Sequence, residues 1–244
     1  MNNKSKIHIH NIEGLDNLNE AEINMFIEKK LKAAESIIED YQIKDALNKI
    51  NNKLSKGITL ETGVFDLRNI NFQGRHLDVG GSGEEIIYNA SKNDMTIIDI
   101  QYDKKIKDKR VKCLDMDVCN MDFESNYFNI ITIFYTLMYL DENQVREAFN
   151  ECYRVLDKDG LLYIWDICIE FCTDNCLIIA PISVKYENKI KDASFGSSTI
   201  KCTRNKEYYL ELLSNIGFDI IKCELTKNSI FLVAKKDLSL KSRR

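Results

Sequence analysis

Hydrophobic and polar positions change their rhythm along this chain. Over residues 19–56, Ile23, Phe26, Ile27, Leu31, Ala34 and Ile38 recur at helical spacing among lysines and glutamates, which predicts one long or broken helix. Asn19 followed by Glu22 resembles a capping box at its start, and Gly57 is a suitable stop. Residues 58–75, interrupted at Gly63 and Gly74, read as a linker lying across the main domain.

From His76 the texture becomes short apolar runs alternating with helical or polar stretches, the pattern of a parallel sheet wrapped by helices. Strands are expected near 76–80, 95–100, 111–114, 128–134 and 161–166. Between the last two, Val145, Ala148, Phe149, Cys152 and Val155 predict a helix over Glu142–Leu156, turned by Asp157–Gly160. Past Asp166 the pattern breaks, and strand-like runs around the polar turn Glu187–Lys189 predict an inserted hairpin within 167–204. Lys206–Ile216 reads as a helix closed by Gly217, followed by two strands that meet near Lys227–Ser229 and a polar tail, 237–244. The organisation expected is a helical cap and linker (1–75), a core (76–236) carrying the insertion, and the tail.

Composition narrows the class. The 244 residues are 44% hydrophobic and 30% charged, with one Pro and ten Gly, which excludes wholesale disorder and collagen-like architecture. A net charge of −4 argues against a broad polyanion-binding surface, so nucleic acid is an unlikely partner. No apolar run reaches the roughly 20 residues of a membrane helix, and residues 1–13 lack the apolar stretch of a secretory signal, so a soluble, cytoplasmic protein with no membrane partner is expected. Eight cysteines dispersed through such a chain read as reduced thiols.

The segment Leu77-Asp78-Val79-Gly80-Gly81-Ser82-Gly83-Glu84-Glu85 is an apolar strand entering a glycine turn and then a helix. A ligand approaches such a turn closely because no side chains intervene. A dinucleotide fingerprint counted from Gly81 finds Gly83 but then Ile86 where the third glycine belongs, and Glu84 and Glu85 at the helix start would oppose a pyrophosphate. They would not oppose S-adenosylmethionine, which carries an ammonium and a sulfonium and no phosphate. A tight turn without a ligand is the alternative. Asp99 ends the second strand about twenty residues on, where an acid accepts ribose hydroxyls. After the third strand, Asp117-Val118-Cys119-Asn120-Met121-Asp122-Phe123 offers an acid for an adenine amino group and a backbone N–H for a ring nitrogen.

With these pieces in order, residues 76–166 resemble the class I S-adenosylmethionine-dependent methyltransferases. LDVGGSGE is similar to the family's glycine motif, IIDIQ to its ribose acid, DVCNMDF to its adenine motif, and YFNIITIFYTLMYLDE with AFNECYRVLDKDGLLYIWD to its fourth strand, helix and fifth strand. The resemblance implies an α/β fold with a Rossmann-like seven-stranded sheet, its last strand antiparallel and helices on both faces, and the cofactor across the C-terminal strand ends. Carried over, Asp78, Gly80, Gly81 and Gly83 would hold the methionine moiety, Asp99 the ribose, Asp117 and the Val118 backbone the adenine, and Phe134 the pocket beside them. The product would be S-adenosylhomocysteine. Two positions depart from the family pattern: Ser82 stands where a glycine is usual, and Asn129 replaces a common strand-four Asp.

Methyl transfer from a sulfonium asks mainly for alignment, so a strong catalytic signature is not expected. General-base candidates near the methyl end are Tyr135, Tyr139 and Asp166, and Tyr135, Tyr139 and Trp165 are acceptor-pocket candidates; packing is the alternative for each. The stretch IFYT lacks the prolines of nucleobase amino-methylating enzymes, and the one proline, Pro181, precedes Ile182 rather than a cysteine, which disfavours cytosine-C5 chemistry. A small molecule or a peptide is the expected acceptor. Rival readings are a non-catalytic S-adenosylmethionine-binding module, an RNA methyltransferase and a nicotinamide-dependent oxidoreductase. Cys168, Cys172 and Cys176 lack zinc spacing, and no metal is expected; His8 and His10 read as strand or chain-end residues, Arg68 as a surface ion pair, and Lys104–Arg110 as a solvated face. Oligomeric state is left open.

Overall fold

A computed structural model describes residues 57–236 except 92, 101–105, 107, 171–176, 199 and 201. The expected helix at 19–56, His8, His10, Cys172, Cys176, residues 104, 105 and 107 of Lys104–Arg110 and the tail lie outside the described residues.

The main sheet has seven strands: β3 (His76–Val79), β4 (Met95–Asp99), β5 (Val111–Asp115), β6 (Phe128–Phe134), β7 (Leu156–Ile167), β10 (Phe218–Thr226) and β11 (Ser229–Lys236). Their order is β10-β11-β7-β6-β3-β4-β5, and β11 alone runs antiparallel to its neighbours. The expected seven-stranded sheet is present. Its central strands read Leu-Asp-Val and Ile-Ile-Thr-Ile because both faces are covered, and continuous β-branched runs suit that environment. The Asp157–Gly160 turn falls inside β7 instead of before it. Pairing with β6 jumps from Leu156 opposite Phe128 to Leu161 opposite Ile130, and Asp159 takes a positive φ of 63°, so these residues form a bulge in one long strand.

Two layers cover the sheet. On one face lie α2 (Glu142–Val155) and α3 (Lys206–Ile216). Asp141 starts α2 with a reciprocal capping box, its Oδ1 accepting from Gln144 N–H at 2.9 Å and Gln144 Oε1 accepting from Asp141 N–H at 2.9 Å. Asn205 caps α3, and Gly217 ends it at φ 116°. Val145, Phe149, Cys152, Leu212 and Leu213 seal this side. Truncating Phe149, which has no exposed surface, removes contacts that place such core changes at about 3–5 kcal/mol.

The opposite face carries the single-turn helix α1 (Ile86–Ala90) and a second sheet that the sequence pattern does not indicate. The expected hairpin is β8 (Ile178–Tyr186) and β9 (Lys189–Ser197), antiparallel along their full length. On the other edge of β8, β1 (Ile58–Thr59) and β2 (Val64–Asp66) pair in parallel, so part of the apparent linker completes a four-stranded sheet. β1 meets β8 at residues 178–179 and β2 meets it at 183–185. Pro181 occupies the interval between them, where its missing N–H leaves no ladder bond unmade. Ile178, Ala180, Ile182 and Val184 alternate inward against the main sheet.

Candidate functional site

β3 pairs with β4 on one side and β6 on the other, so the chain reverses its direction of build at β3 and opens a crevice at the C-terminal strand ends. That edge collects Asp78 and the glycine turn, Asp99, Asp117, the segment Tyr135–Tyr139 and Asp166.

Asp78 has no exposed surface. Its Oδ1 accepts from the Thr132 hydroxyl at 2.7 Å, while Oδ2, equally buried, has no hydrogen-bond partner. Burial pushes its carboxyl up to about 7, and the nearby Asp99 charge adds to the rise. Thr132 also sits 2.9 Å from His76 Nε2, and burial holds that imidazole down to about 4. The glycine turn folds over the Asp78 carboxylate. A Cβ on Gly81 would lie 1.9 Å from Asp78 Oδ2, and one on Gly80, at φ 71°, would lie 2.4 Å from Thr136 Oγ1. Gly83 faces open space.

Asp99 is half-buried beside this turn. Its Oδ2 accepts from the Ser82 hydroxyl at 2.6 Å, so the residue that departs from the family pattern engages the ribose-acid candidate directly. Asp117 is exposed and closes a local turn, with Oδ1 accepting from Cys119 N–H at 2.8 Å; Val118 is buried next to it. Glu84 pairs with Lys191 of β9, Oε2 to Nζ 3.0 Å, and Lys191 also donates to the Glu84 carbonyl. The helix expected after the turn is the single turn of α1, entered through Glu85 at φ 53°.

The acceptor-end candidates separate by exposure. Tyr135 is fully buried at φ 53°, its hydroxyl 2.7 Å from Ser229 Oγ and its ring stacked on Phe195 with centroids 5.1 Å apart. Trp165 stacks on Tyr163 and Phe231, and Phe134 packs among Phe65, Tyr135, Trp165 and Phe195. Asp166 has no exposed surface; its carboxylate accepts from Leu137 N–H at 2.9 Å and Ile167 N–H at 2.8 Å. Burial pushes it, too, up to about 7, against the lowering effect of Arg204. Tyr139, 43% exposed at the end of a 3-10 turn (Leu137–Tyr139), remains at the surface of the cleft. Burial of its hydroxyl, with the charges of Asp166, Glu84 and Asp99, pushes it up to about 12. It is therefore a neutral phenol near pH 7, suited to donating a hydrogen bond and unsuited to accepting a proton as phenolate.

Three further residues enter the site from outside the sequence motifs. Arg204 is fully buried and donates to the carbonyls of Leu137 and Leu140, gripping the turn that carries Tyr139. Nothing in KCTRN marks an arginine for burial. Lys191 stands in an ordinary polar stretch of the hairpin. Thr132 does leave a signal, as the lone hydroxyl in the apolar run Phe128–Phe134. Arg68 makes the expected surface pair, Nε to Asp66 Oδ1 at 2.8 Å. Asn129 lies at the far end of β6, where Oδ1 accepts from Arg75 N–H at 3.0 Å, so its departure from the family pattern does not touch the crevice. The six described cysteines form no disulfide with one another, and among the described residues no group of three or more His, Cys, Asp or Glu could hold a metal ion. No described helix is long and apolar enough to cross a membrane.

An open α/β sheet with a glycine turn and acids at its switch point defines a fold of the Rossmann-like class. Comparison with known proteins takes this further, since the family described as a methyltransferase domain matches residues 77–164. Over that segment the chain is similar to the methyltransferase-domain family, which agrees with the resemblance carried by its glycine turn and strand-end acids. Among solved structures it is similar to a methyltransferase from Methanosarcina mazei, with 16% identity over 70% of this chain and 95% of that one at a TM-score of 0.51. The [4+2]-cyclase SpnF gives 15% identity over 70% of this chain and 77% of that one at 0.52. The 1,6-didemethyltoxoflavin-N1-methyltransferase of Burkholderia thailandensis, solved with that compound and S-adenosylhomocysteine, gives 12% identity over 88% and 86% at 0.50. At these identities the likeness is one of fold. No curated protein matches the chain.

Proposed function

We propose that this protein binds S-adenosylmethionine at the β3–β4 edge and transfers its methyl group to a small-molecule or peptide acceptor. The observation that carries the reading is Asp78, whose buried, partnerless Oδ2 lies directly under Gly81. A buried carboxylate with one oxygen unpaired is costly, and an ammonium seated on the thin glycine turn would offset its charge. The residues present fit the cofactor: a floor of glycines permits close approach, and Asp78 and Asp99 favour a cationic ligand.

When bound, the cofactor supplies an activated methyl on a sulfonium. The protein's part is placement. Asp78, Gly80, Gly81 and Gly83 hold the amino-acid end, Asp99 the ribose hydroxyls, and Asp117 with the Val118 backbone the adenine, with Phe134 as apolar wall. Asp166 and Arg204 fix the turn bearing Tyr139, which donates a hydrogen bond to the acceptor; Tyr135 and Trp165 back that surface from within. The Burkholderia neighbour, which holds a small molecule together with S-adenosylhomocysteine, supports the small-molecule form of the acceptor. A second reading, cofactor binding with a reaction other than methyl transfer, draws support from the cyclase neighbour.

Calorimetry with S-adenosylmethionine, S-adenosylhomocysteine and NAD tests the reading on the wild type and Asp99→Ala. Micromolar binding of the two adenosyl ligands, weakened by about 1.5–3 kcal/mol in the variant, is expected. Folded protein that binds neither, or binds NAD instead, would overturn it. Formation of S-adenosylhomocysteine in the presence of acceptor mixtures separates methyl transfer from the second reading.

A further inference from the structure

The mouth of the crevice is acidic. Asp99 contributes to the raised carboxyl of Asp78, and Glu84 and Asp99 both act on the Tyr139 hydroxyl, so these groups share one electrostatic neighbourhood. An amino-acid ligand brings an ammonium and a carboxylate on the same carbon. The ammonium suits this mouth, but the carboxylate needs a cation within reach.

Three described cations come into question near these strand ends. Arg68 is committed to a two-point, exposed pair with Asp66. Arg204 is buried with its donors on the carbonyls of Leu137 and Leu140. Lys191 differs from both. It reaches from β9 onto the glycine turn, meets Glu84 Oε2 at 3.0 Å and donates to the Glu84 carbonyl. An ammonium has three hydrogens, and these contacts occupy two. The pair is largely shielded, with side-chain exposures of 28% for Lys191 and 12% for Glu84, so its charge is screened less than a surface lysine's. β9 continues from Lys191 to Gly196, whose backbone meets the Tyr139 hydroxyl. One strand of the insertion thus touches both the glycine turn and the turn after β6.

We infer that Lys191 is the counter-cation for the carboxylate of the cofactor's amino-acid end, held over the glycine turn by Glu84. The assignment rests on the cofactor reading above. It gives the inserted hairpin a part in recognising the cofactor, in place of a role confined to covering the acceptor.

The test pairs a side chain with a ligand group. Binding of S-adenosylhomocysteine and of its decarboxylated analogue, S-adenosyl-3-thiopropylamine, is measured by calorimetry on the wild type, Lys191→Gln and Lys191→Arg, with melting temperatures recorded for all three. In the wild type, S-adenosylhomocysteine binds about tenfold more tightly than the analogue. Lys191→Gln lowers affinity for S-adenosylhomocysteine by about tenfold and shifts the analogue by less than about twofold, while Lys191→Arg retains most of the affinity. Equal losses for both ligands, unchanged binding of S-adenosylhomocysteine, or a wild type that holds the analogue as tightly would each overturn the assignment while leaving the cofactor reading intact. If Lys191→Gln fails to fold, Lys191→Met carries the same two-ligand comparison, and a wild type that holds the analogue as tightly overturns the assignment without any variant. A wild type that binds neither ligand would bring down the cofactor reading and the lysine with it.

Discussion

The ends of β3 and β7 each bury a carboxylate completely, and burial raises both to about 7, yet the two regions are built to different purposes. At the end of β7, Asp166 is surrounded by backbone N–H groups and lies under the influence of Arg204. Its burial is compensated from within, and what it achieves is a fixed turn. At the end of β3, Asp78 has one oxygen hydrogen-bonded to Thr132 and one with no hydrogen-bond partner, beneath a turn whose Gly81 leaves it no covering side chain. Equal burial with unequal satisfaction separates an anchor from the binding group proposed above. Titration behaviour alone would have classed them together.

The sharpest way to break this contrast is to unpair the anchor. Arg204→Met leaves Asp166 without its cation and two turn carbonyls without donors, and urea unfolding should register a loss of about 3–5 kcal/mol. A loss under about 1 kcal/mol would show that Asp166 is not anchored through Arg204. Asp78→Asn should behave oppositely, with stability within about 1 kcal/mol of wild type but S-adenosylhomocysteine affinity down about thirtyfold by calorimetry. Acidity sharpens the same point. Under the proposed function an ammonium ligand is held by the ionised carboxylate of Asp78, so affinity should be full above pH 7 and decline as pH falls through about 7. Binding should be about tenfold weaker at pH 6 than at pH 8, and Asp78→Asn should abolish that slope. Smallest is Ser82→Ala, which releases Asp99 Oδ2 from the serine hydroxyl; about threefold tighter binding is expected, and weaker binding would instead make Ser82 an orienting residue.

Strands β3 to β6 were legible because each is a short apolar run bounded by polar turns, and α2 and α3 because their apolar positions hold helical spacing. Of the second sheet only the hairpin β8–β9 was. β1 and β2 have two and three residues, too few for any period, and exist only because β8 offers an edge to pair with. The bulge at Asp157–Gly160 carried correct turn chemistry, but local sequence cannot tell a turn that ends an element from one that interrupts a strand. In the crevice, the glycine turn and the acids of β3 and β4 announced themselves by spacing. Lys191, Arg204 and Thr132 reach it from β9, the segment before α3 and β6, and such convergence is a property of tertiary contact. The burial of Tyr135 and Trp165 belongs to the same class, since a strand end fixes a neighbourhood without fixing which side of the backbone a ring takes.

The Thr132 hydroxyl has a single hydrogen to give. With it committed to an ionised Asp78 at 2.7 Å, Thr132 can only accept from His76 at 2.9 Å, which obliges that imidazole to carry its proton on Nε2 and leaves the lone pair on Nδ1, an atom with no partner. His76 is one of three histidines in the chain, and it is buried at the start of the strand that Asp78 shares. Its ring nitrogens are thus a spectroscopic window on the charge of Asp78: nitrogen-15 resonances of one imidazole report, from the dry side of the sheet, whether the carboxylate beneath the glycine turn is ionised.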